Sequence, residues 1–474
     1  MRNELMKPEN AVETMSNTTN EGLVIKDEMT KLPMWKKIAY GCGAGGGNVV
    51  STLMATFLLA YYTDTAGIAA AAMGTMFVIC RIIDAVCNFA MGGLIDNTHT
   101  KIGKARPWLL ASAPLMVLGM VLILNVPMGW IESWKIVYAY ATYIFLNCIV
   151  YTMFGIAHNA LLTRMTRDSD DRTTTSTVSS ILNNLSGLVI GSMITWMQLS
   201  FGWGWTSVIL GVIAGALVLI PGVTIEEKVG MEVGGMNKRD EVPFSKQVPA
   251  VFRNRYFWTL LVLGVLVLFV NANAIGAQIY YCNIVLQDPM FMTVLMAVGQ
   301  APGIVVLFFM PWFSKRFSKR IFMAIGAVIM IIGFALVGLA DTSRGLLLAG
   351  IILRSIGIGP MFAGLYAFAA DAADYGEWKF GVRSEGLMAS SQQVGSQIGI
   401  GFGSATTAWI LAAAGYVGTA TTQPEAVVTA IKFDSGWLGC IVSVLLLIGI
   451  MFLDVEKYLP EIRKTLGSLK TAAV

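Results

Sequence analysis

Apolar segments of membrane-spanning length recur from one end of the chain to the other. A helix needs about 20 apolar residues to cross the hydrocarbon core of a bilayer, and in lipid only helices and closed barrels satisfy every backbone polar group. The composition agrees, since 55% of the residues are hydrophobic and 13% are charged, against about 25% charged residues in a soluble protein. We therefore predict an all-α membrane protein. Its twelve predicted spans lie at residues 38–62, 69–95, 108–127, 135–161, 176–199, 204–225, 257–282, 291–314, 321–340, 345–371, 385–413 and 434–455.

A polar stretch divides these spans into two groups of six, each sufficient for a six-helix bundle. The start of the chain is also polar and has no apolar core, so we interpret it as a tail and not as a signal peptide. The predicted order is N-terminal tail, first bundle, central loop, second bundle and C-terminal tail. These five segments lie at residues 1–35, 36–225, 226–256, 257–456 and 457–474.

The basic residues are distributed unevenly between the two sides of the membrane. With both termini inside the cell, 28 of the 33 Lys and Arg residues fall in cytoplasmic segments and 3 in external loops. Cytoplasmic loops of membrane proteins carry an excess of Lys and Arg, so we expect both termini and the central loop to be cytoplasmic. Because the positive charge lies in loops and tails, the net charge of +4 does not indicate nucleic-acid binding.

The second predicted span contains a polar stripe. Arg81 and Asp84 are three residues apart and Asn88 follows four residues later, so the three side chains share one face of a helix. A charge within the bilayer is costly unless it faces the bundle interior or a wet cavity. The stripe is therefore predicted to line a transport pathway.

Several other spans carry amides and tyrosines that must bond either to neighbouring helices or to a polar ligand. Each of them alone is compatible with helix packing. Together they suit a neutral, polyhydroxylated substrate, with further amides at Asn271, Asn273 and Gln278 in the seventh span. The predicted substrate-binding residues of this kind are Asn48, Tyr151, Asn159, Gln392, Gln393 and Gln397.

Charged residues cluster where two spans end on the cytoplasmic side. After the second span, Asp96 can pair with a basic loop that contains Lys104 and Arg106. After the tenth span, acidic and basic residues can form an ion-pair latch that favours one state of a transporter. A solvated loop is the alternative. The residues of the predicted latch are Asp371, Asp374, Glu377, Arg383 and Glu385.

The sequence shows no pattern typical of an enzyme or a metalloprotein. The six cysteines have neither metal-binding nor redox spacing, and they lie in or beside apolar segments as small packing residues. His158 is either a proton carrier or a hydrogen-bonded packing residue. Neither a nucleophile–base set nor a nucleotide-binding loop is present. We therefore expect no catalytic site, no metal site and no cofactor.

Several motifs together resemble the glycoside–pentoside–hexuronide:cation symporter family of the major facilitator superfamily. The last two of them, Asp-Tyr-Gly-Glu and Gly-x-Arg-x-Glu-Gly, are the most specific. The resemblance implies the major facilitator fold, with twelve transmembrane helices in two six-helix bundles around a cavity that opens alternately to the two sides. The motifs lie at Tyr61–Asp64, Arg81–Ala85, Gly103–Trp108, Asp374–Trp378 and Gly381–Gly386.

The chain departs from that family at the binding residues. The second helix of relatives usually carries two carboxylates that serve cation coupling. Asp84 matches the first, but the second position here is Asn88. The resemblance therefore implies that Asp84 binds the cation or proton, with Asn88 as a neutral ligand and Arg81 as its electrostatic partner. Asn48 and Gly155 stand where a relative has sugar-binding aspartates. Ser180 stands where that relative has an arginine, and it joins the predicted substrate-binding residues. Where relatives often have a lysine in the eleventh helix, this chain has glutamines.

The resemblance implies a secondary active transporter of the bacterial inner membrane that takes up a glycoside, glucuronide or related small polar solute with a cation. Sodium needs hard oxygen ligands, whereas a proton needs only a carboxylate that burial keeps neutral, and the sequence is compatible with both. Two alternatives stay open, an uncoupled facilitator and a carrier of a non-sugar such as a steroid conjugate. The expected partners are the solute, the coupling cation and the lipid bilayer, and we expect a monomer.

A cysteine introduced at Gly235, in the predicted central loop, tests the orientation in a variant without the native cysteines. We expect a membrane-impermeant thiol reagent to label it only after the cells are permeabilised, because that loop faces the cytoplasm. A cysteine at Gly129, in a predicted external loop, is the matched control and should react in intact cells. Labelling of the Gly235 position in intact cells would contradict the predicted orientation.

Overall fold

The computed structural model describes residues 32–166, 168–227, 249, 251–302, 318–380, 385–420, 422–459 and 461–462. The regular elements within these residues are helices. Most of the predicted N-terminal tail, central loop and C-terminal tail lies outside the described residues, and so does part of the eighth span.

The helices follow the predicted spans in chain order. Those of the first half are α1 (Met34–Thr65), α2 (Ala70–Asn97), α3 (Arg106–Ile123), α4 (Glu132–Met165), α5 (169–201) and α6 (203–224). Those of the second half are α7 (Arg255–Val285), α8 (beginning with Phe291–Pro302), α9 (Lys319–Leu339), α10 (Arg344–Phe380), α11 (Glu385–Ala413) and α12 (425–451). In the described part of the chain, 9 helices are long and apolar enough to cross a membrane, with α5 and α6 counted as one. The prediction of an all-α membrane protein is confirmed.

The break between α5 and α6 lies at Gly202, where φ is 72° and ψ is 171°. This conformation is open to glycine and strained for residues with a Cβ atom. The chain therefore turns between the predicted fifth and sixth spans at a residue that permits the turn.

Four helices widen locally into π-helix. The wider turn leaves side chains five residues apart on one face, and such turns occur frequently at functional sites. In this protein two of them, Leu53–Phe57 and Ile144–Tyr151, contribute residues to the wall of the space between the two halves, among them Ala55 and Asn147. The π-helical segments are Leu53–Phe57 and Tyr61–Thr65 in α1, Ile144–Tyr151 in α4, Tyr281–Val285 in α7 and Phe433–Trp437 in α12.

Glycines allow α11 to pack directly against the backbone of α7. Gly395 and Gly399 are one turn apart, and a Cβ atom at Gly399 would collide with the carbonyl oxygen of Val265. Small residues permit this close approach of membrane helices. Gln393 and Gln397 lie two residues before these glycines, so they project from a different face of α11, toward the other half of the molecule.

The buried apolar residues form two clusters. The first combines the N-terminal half with the outer ends of C-terminal helices and includes Tyr280, Leu347 and Ile431. We call outer the end that carries the loops predicted to be external. The second cluster contains only C-terminal residues, among them Tyr256 and Phe368. The two halves therefore share an apolar core on the outer side and have separate cores on the inner side.

A buried carboxylate just after α6 caps the start of α3. Glu227 accepts hydrogen bonds from the backbone N–H groups of Lys104, Ala105 and Arg106 at 3.0, 2.8 and 2.9 Å, and it lies 3.5 Å from Arg164. The first N–H groups of a helix lack partners within the helix and carry partial positive charge. Glu227 therefore ties the inner ends of α3, α4 and α6 together.

The second half repeats this arrangement. Glu456, just after α12, accepts hydrogen bonds from the N–H groups of Lys319 at 2.8 Å and Arg320 at 3.4 Å, at the start of α9. Helices α3 and α9 hold equivalent positions in the two halves, as do α6 and α12. The shared cap agrees with two halves that are structural repeats of each other.

Replacement of the first of these caps should destabilise the protein. Glu227→Ala leaves three backbone N–H groups without an acceptor, and an unpartnered buried polar group costs about 1–3 kcal/mol. We expect the free energy of unfolding to fall by at least about 2 kcal/mol, measured as a lower thermal unfolding temperature in detergent. Glu226→Ala is the matched control, because that neighbouring side chain is exposed. Equal unfolding temperatures for the two variants would contradict the capping role.

Candidate substrate cavity and gates

A cavity of about 490 Å³ lies between the two halves of the molecule. Its walls come from α1, α2, α4, α7 and α11, and its volume lies within the range of about 300–1,000 Å³ that is typical of small-molecule sites. The polar residues that line it are Ser51, Arg81, Asp84, Asn88, Tyr143, Asn147, Tyr151, Thr152, Asn159, Asn271, Gln393, Gln397 and Ser404.

Asp84 is the centre of a hydrogen-bonded group on the cavity wall. Its Oδ1 accepts a hydrogen bond from the Thr152 hydroxyl at 2.8 Å and one from Asn88 Nδ2 at 3.1 Å. Asn88 also donates to the backbone carbonyl of Asp84 at 2.8 Å. The Nη1 atom of Arg81 lies 3.7 Å from Asp84 Oδ2. The three residues of the predicted polar stripe are therefore together, and Thr152 of α4 joins them.

Arg81 connects this group to the other half of the molecule. Its Nη1 donates a hydrogen bond to Gln397 Oε1 on α11 at 3.0 Å. Its side chain also packs against Gly401, where an added Cβ would lie 2.6 Å from Arg81 Cγ. Its Nε is buried and has no hydrogen-bond partner in the described part of the chain. A change of charge at Asp84 would therefore act, through Arg81, on a helix of the opposite half.

The cavity wall is polar but carries no net charge when Asp84 is ionised. Arg81 and Asp84 are the only charged residues among those that line the described cavity. Amides and hydroxyls supply donors and acceptors, and Phe77, Tyr143 and Tyr151 supply aromatic surface. Such a wall suits a neutral polar solute with several hydroxyl groups.

Four of the predicted substrate-binding residues line the cavity, namely Tyr151, Asn159, Gln393 and Gln397. The tyrosine and Asn159 project from α4, and the two glutamines project from α11 on the opposite side. A solute in the cavity would therefore be within reach of both halves. Their role in substrate binding stays a prediction.

The other three predicted substrate-binding residues are not part of the cavity wall. Asn48 donates to the carbonyl of Asn183 at 3.0 Å and accepts a hydrogen bond from Thr52 at 2.7 Å, so its amide bridges α1 and α5. Ser180 is exposed and donates to the backbone of its own helix at 3.0 Å. Gln392 is buried within the second half. The sequence left two partners open for such amides, a ligand or a neighbouring helix, and the amide of Asn48 bonds to a neighbouring helix.

Asn147 and Thr152 line the cavity and are absent from the predicted set. Both belong to α4, on either side of the predicted residue Tyr151. They are five residues apart, a spacing that an α-helix does not place on one face. The π-helical segment Ile144–Tyr151 brings them to the same side. A sequence pattern based on 3.6 residues per turn does not reveal that alignment.

Among the described residues, two hydrogen bonds join the halves on the outer side of the cavity. The Tyr416 hydroxyl donates to Asp64 Oδ1 at 2.6 Å, and the hydroxyls of Thr63 and Tyr280 lie 3.0 Å apart. Thr63 also donates to Asp64 at 2.6 Å, which makes the network continuous. We call Thr63, Asp64, Tyr280 and Tyr416 the outer gate. Thr63 and Asp64 belong to a motif of the sequence resemblance, but their pairing partners are distant in sequence.

The inner side of the cavity is more open. Among hydrogen bonds between described residues, none joins the halves on the inner side of the Arg81–Gln397 contact. An added Cβ atom at Gly92 or Gly93, near the inner end of α2, would have no atom within 4 Å, and Phe89 is 88% exposed. The described part of the molecule is therefore closed on the outer side and open on the inner side.

The predicted gating residues that follow α2 hold the first half together. Arg106 donates from Nε to the carbonyl of Gly222 at 3.0 Å and from Nη2 to that of Val223 at 3.2 Å. The backbone N–H of Lys104 donates to Glu227, the carboxylate that caps α3. The side chain of Asp96 lies outside the described part of the structure, so its predicted pairing is not tested.

The predicted latch after α10 is described only in part. Asp371 accepts a hydrogen bond from the ammonium group of Lys319 at 2.7 Å, so its partner lies on α9. Asp374 and Glu377 lie in the last turns of α10. Arg383 lies outside the described residues, as does the side chain of Glu385. The latch stays a prediction.

Comparisons with known proteins agree with this architecture. Residues 39–457 match the family described as MFS/sugar transport protein. An isoprimeverose transporter of Lactiplantibacillus pentosus is 29% identical, over 94% of this chain and 93% of its own. A glucuronide carrier protein homolog of Escherichia coli (strain K12) is 30% identical, over 86% of this chain and 89% of its own.

A solved structure supports the fold. The inward-facing, unoccupied structure of a bacterial homolog of the human lysosomal transporter Spinster has a TM-score of 0.61 and is 14% identical, covering 88% of this chain and 94% of that one. At this identity the likeness concerns the fold alone. Because the family match spans both halves and the relatives match over most of their length, the chain is a membrane transporter and not an enzyme. It belongs to the MFS/sugar transport family, and within it to the glycoside–pentoside–hexuronide:cation symporters that its motifs resemble.

Proposed function

We propose that this secondary transporter takes up a glycoside or a related small polar solute together with a cation, by alternating access. One observation carries the proposal. The cavity between the halves is lined by amides, hydroxyls and aromatic rings, and the only charged residues among its described lining, Arg81 and Asp84, lie close enough to compensate each other. The names of two relatives, an isoprimeverose transporter and a glucuronide carrier homolog, support a sugar derivative as the substrate.

Asp84 is the proposed cation site. Its carboxylate, the Thr152 hydroxyl and the Asn88 amide are grouped on one wall and can supply the hard oxygen atoms that sodium needs. Asn88 now points its nitrogen at the carboxylate, so a metal cation would require the amide to turn. A proton would require only that Asp84 become neutral. Both cations are therefore retained in the proposal.

Arg81 is the proposed link between the cation and the solute. A cation or proton on Asp84 would weaken the attraction that Asp84 exerts on Arg81, which also holds Gln397 of the opposite half. The guanidinium would then be freer to bond to a solute or to the second half. This provides a physical route by which cation binding changes the preferred arrangement of the halves.

The proposed setting is the inner membrane of a bacterium, with both termini in the cytoplasm and the protein acting as a monomer. The excess of basic residues in one set of loops supports this orientation. With that orientation, the outer gate faces away from the cytoplasm and the described state is open toward it. Release of the solute into the cell would occur from this state.

A facilitator without strict coupling is a second candidate, favoured by one observation. Asn88 stands where the family has a second carboxylate, and its amide nitrogen donates a hydrogen bond to Asp84 Oδ1. The site then has only the negative charge of Asp84 to balance a cation, and Arg81 already balances part of that charge. Such a site would bind a cation weakly, so solute movement could proceed without it.

Asp84→Asn tests both candidates. Purified protein in proteoliposomes is given labelled isoprimeverose or a methyl glucuronide under separate sodium and proton gradients. We expect the wild-type protein to accumulate at least one probe under one gradient. Asp84→Asn should abolish accumulation but retain exchange of labelled for unlabelled probe, because an amide cannot bind and release the coupling charge. Glu226→Gln removes an exposed carboxylate and should retain accumulation.

The remaining outcomes separate coupling from structure. If Asp84 is only a structural partner of Arg81, Asp84→Asn leaves a buried charge unpaired at a cost of about 3–5 kcal/mol. The double variant Arg81→Gln with Asp84→Asn should then recover both folding and accumulation. Accumulation by Asp84→Asn alone would exclude the coupling role. Wild-type protein that equilibrates a probe but accumulates it under neither gradient would establish the facilitator.

Tyr416→Phe tests the outer gate. It removes the hydroxyl that donates to Asp64, and we expect the equilibrium to shift toward the outward-open state by about 1 kcal/mol, the net value of a typical hydrogen bond. The measurement is the rate at which a cysteine at Ser404, on the cavity wall, reacts with a thiol reagent added outside. Tyr138→Phe is the control, because that hydroxyl bonds to Leu122 within the first half. Equal labelling rates would show that the Tyr416 bond does not hold the gate.

A further inference from the structure

A buried carboxylate on α12 belongs neither to the cavity wall nor to the outer gate. Asp434 lies in the π-helical segment Phe433–Trp437, near the outer end of the helix, and is 3% exposed. A carboxylate at such a depth requires a compensating charge, a set of hydrogen-bond donors or a proton. The surroundings of Asp434 decide which of these is present.

The partners of Asp434 are uncharged. Asn273 of α7 donates from Nδ2 to Asp434 Oδ1 at 2.8 Å, and the same amide nitrogen lies 3.0 Å from the Thr407 hydroxyl on α11. Asn273 and Thr407 are both buried. Ser435, the next residue in the chain, has a buried hydroxyl without a hydrogen-bond partner in the described structure. The site therefore provides polar atoms but no positive charge.

Among the described residues, no basic side chain forms an ion pair with Asp434. Lys432, two residues earlier, pairs with Asp341 at the outer surface. Arg344, at the outer start of α10, pairs with Asp288. These two basic residues are the ones that the outer loops of the second half contribute, and each already has an acidic partner.

The helices around Asp434 present few other ionisable groups. On α7, Tyr280 lies seven residues beyond Asn273 and so on the same face. The basic residues of α9 are in its first turn, at the opposite end of the molecule. Helix α11 has no ionisable side chain from residue 386 to its end. At the start of α12, Glu425 is exposed. Nothing in this set would compensate an ionised Asp434.

The donor set favours a proton over a metal cation. Asn273 presents an amide nitrogen to the carboxylate, whereas a metal cation such as sodium needs oxygen ligands. In the described part of the chain, no group of three or more His, Cys, Asp or Glu side chains could hold a metal ion. A proton requires only one oxygen of Asp434 and leaves the other to accept from Asn273.

We propose that Asp434 is a proton-binding site of this transporter, separate from the proposed cation site at Asp84 and located in the C-terminal half. The protonated acid accepts from Asn273 at Oδ1 and carries its proton on Oδ2, and ionisation releases that proton to water on the outer side. The site lies beside the outer gate, since Tyr280 on the same face of α7 bonds to Thr63. Ionisation of Asp434 would therefore change the electrostatic environment of the outer gate. This effect on the gate rests on the proposed function, whereas proton binding does not.

Infrared difference spectroscopy tests the site without a transported solute. Spectra of the purified protein in lipid are compared between acidic and alkaline buffers. We expect the wild-type protein to show the carbonyl band of a protonated buried carboxyl that disappears on alkalinisation. Asp434→Asn should lack this band, and Glu425→Gln, which removes the exposed acid of the same helix, should retain it. The titration is repeated with sodium in place of potassium and should be unchanged.

Each contrary result overturns the proposal. If the band is absent from the wild-type protein or survives in Asp434→Asn, Asp434 does not hold the proton. If the band persists at every pH, Asp434 is a permanently neutral structural acid. If sodium displaces the band, the site is a metal-cation site. The titration in lipid also shows that the variant is folded, provided that the amide bands of Asp434→Asn match those of the wild-type protein.

The effect on transport is measured separately. Under a proton gradient, Asp434→Asn should lose most of the accumulation of isoprimeverose but retain its exchange, and Glu425→Gln should behave as the wild-type protein does. Full accumulation by Asp434→Asn would show that Asp434 has no role in coupled transport. Failure of the wild-type protein to transport any probe would count against the proposed function, while the infrared titration would still decide whether Asp434 binds a proton.

Discussion

The contact of Arg81 with Asp84 and Gln397 is the interaction on which the rest of the site depends. Within a bilayer neither charge would be tolerated alone, so the two must lie together and face the interior of the bundle. That requirement turns one face of α2 toward the cavity and sets Asn88 beside the carboxylate. Because Arg81 also bonds to Gln397, the same pair reaches across to the second half. Charge compensation and contact between the halves are thus provided by one side chain.

Four carboxylates of the described structure, Asp84, Glu227, Asp64 and Asp434, have different kinds of partner, and the difference matches their places in the molecule. Asp84 lies beside a guanidinium on the cavity wall, where the proposed cation would change its charge. Glu227 is held by the backbone N–H groups that begin α3, a fixed partial charge that suits a permanent joint. Asp64 accepts from two hydroxyls, and one of these belongs to the opposite half, so the bond breaks when the gate opens. Asp434 accepts from the amide of Asn273 and has no basic partner among the described residues, and we propose a proton as its compensation.

Much of this arrangement is predictable from the sequence, for reasons that individual residues illustrate. The recurrence of apolar segments predicts helices because lipid offers no partner to an unpaired backbone group. The spacing of Arg81, Asp84 and Asn88 predicts a shared face because the helical period is local. The amide of Asn48 is different, since a buried amide is satisfied equally by a ligand or by another helix, and its partner on α5 is more than a hundred residues away. A pattern of 3.6 residues per turn does not predict that Thr152 lines the cavity, because a π-helical turn brings it there.

The sequence by itself determined the class of the protein, the order of its helices, the polar face of α2 and the family to which it belongs. These follow from local chemistry, that is, from the length of apolar segments, the period of a helix and short motifs. Only the tertiary structure decided which polar residues meet. Tyr416 donates to Asp64, Glu227 caps α3, and Asn273 donates to Asp434, all through contacts between segments that are distant in the chain. A buried polar group must find a partner somewhere, but the packing of the helices decides which one it finds.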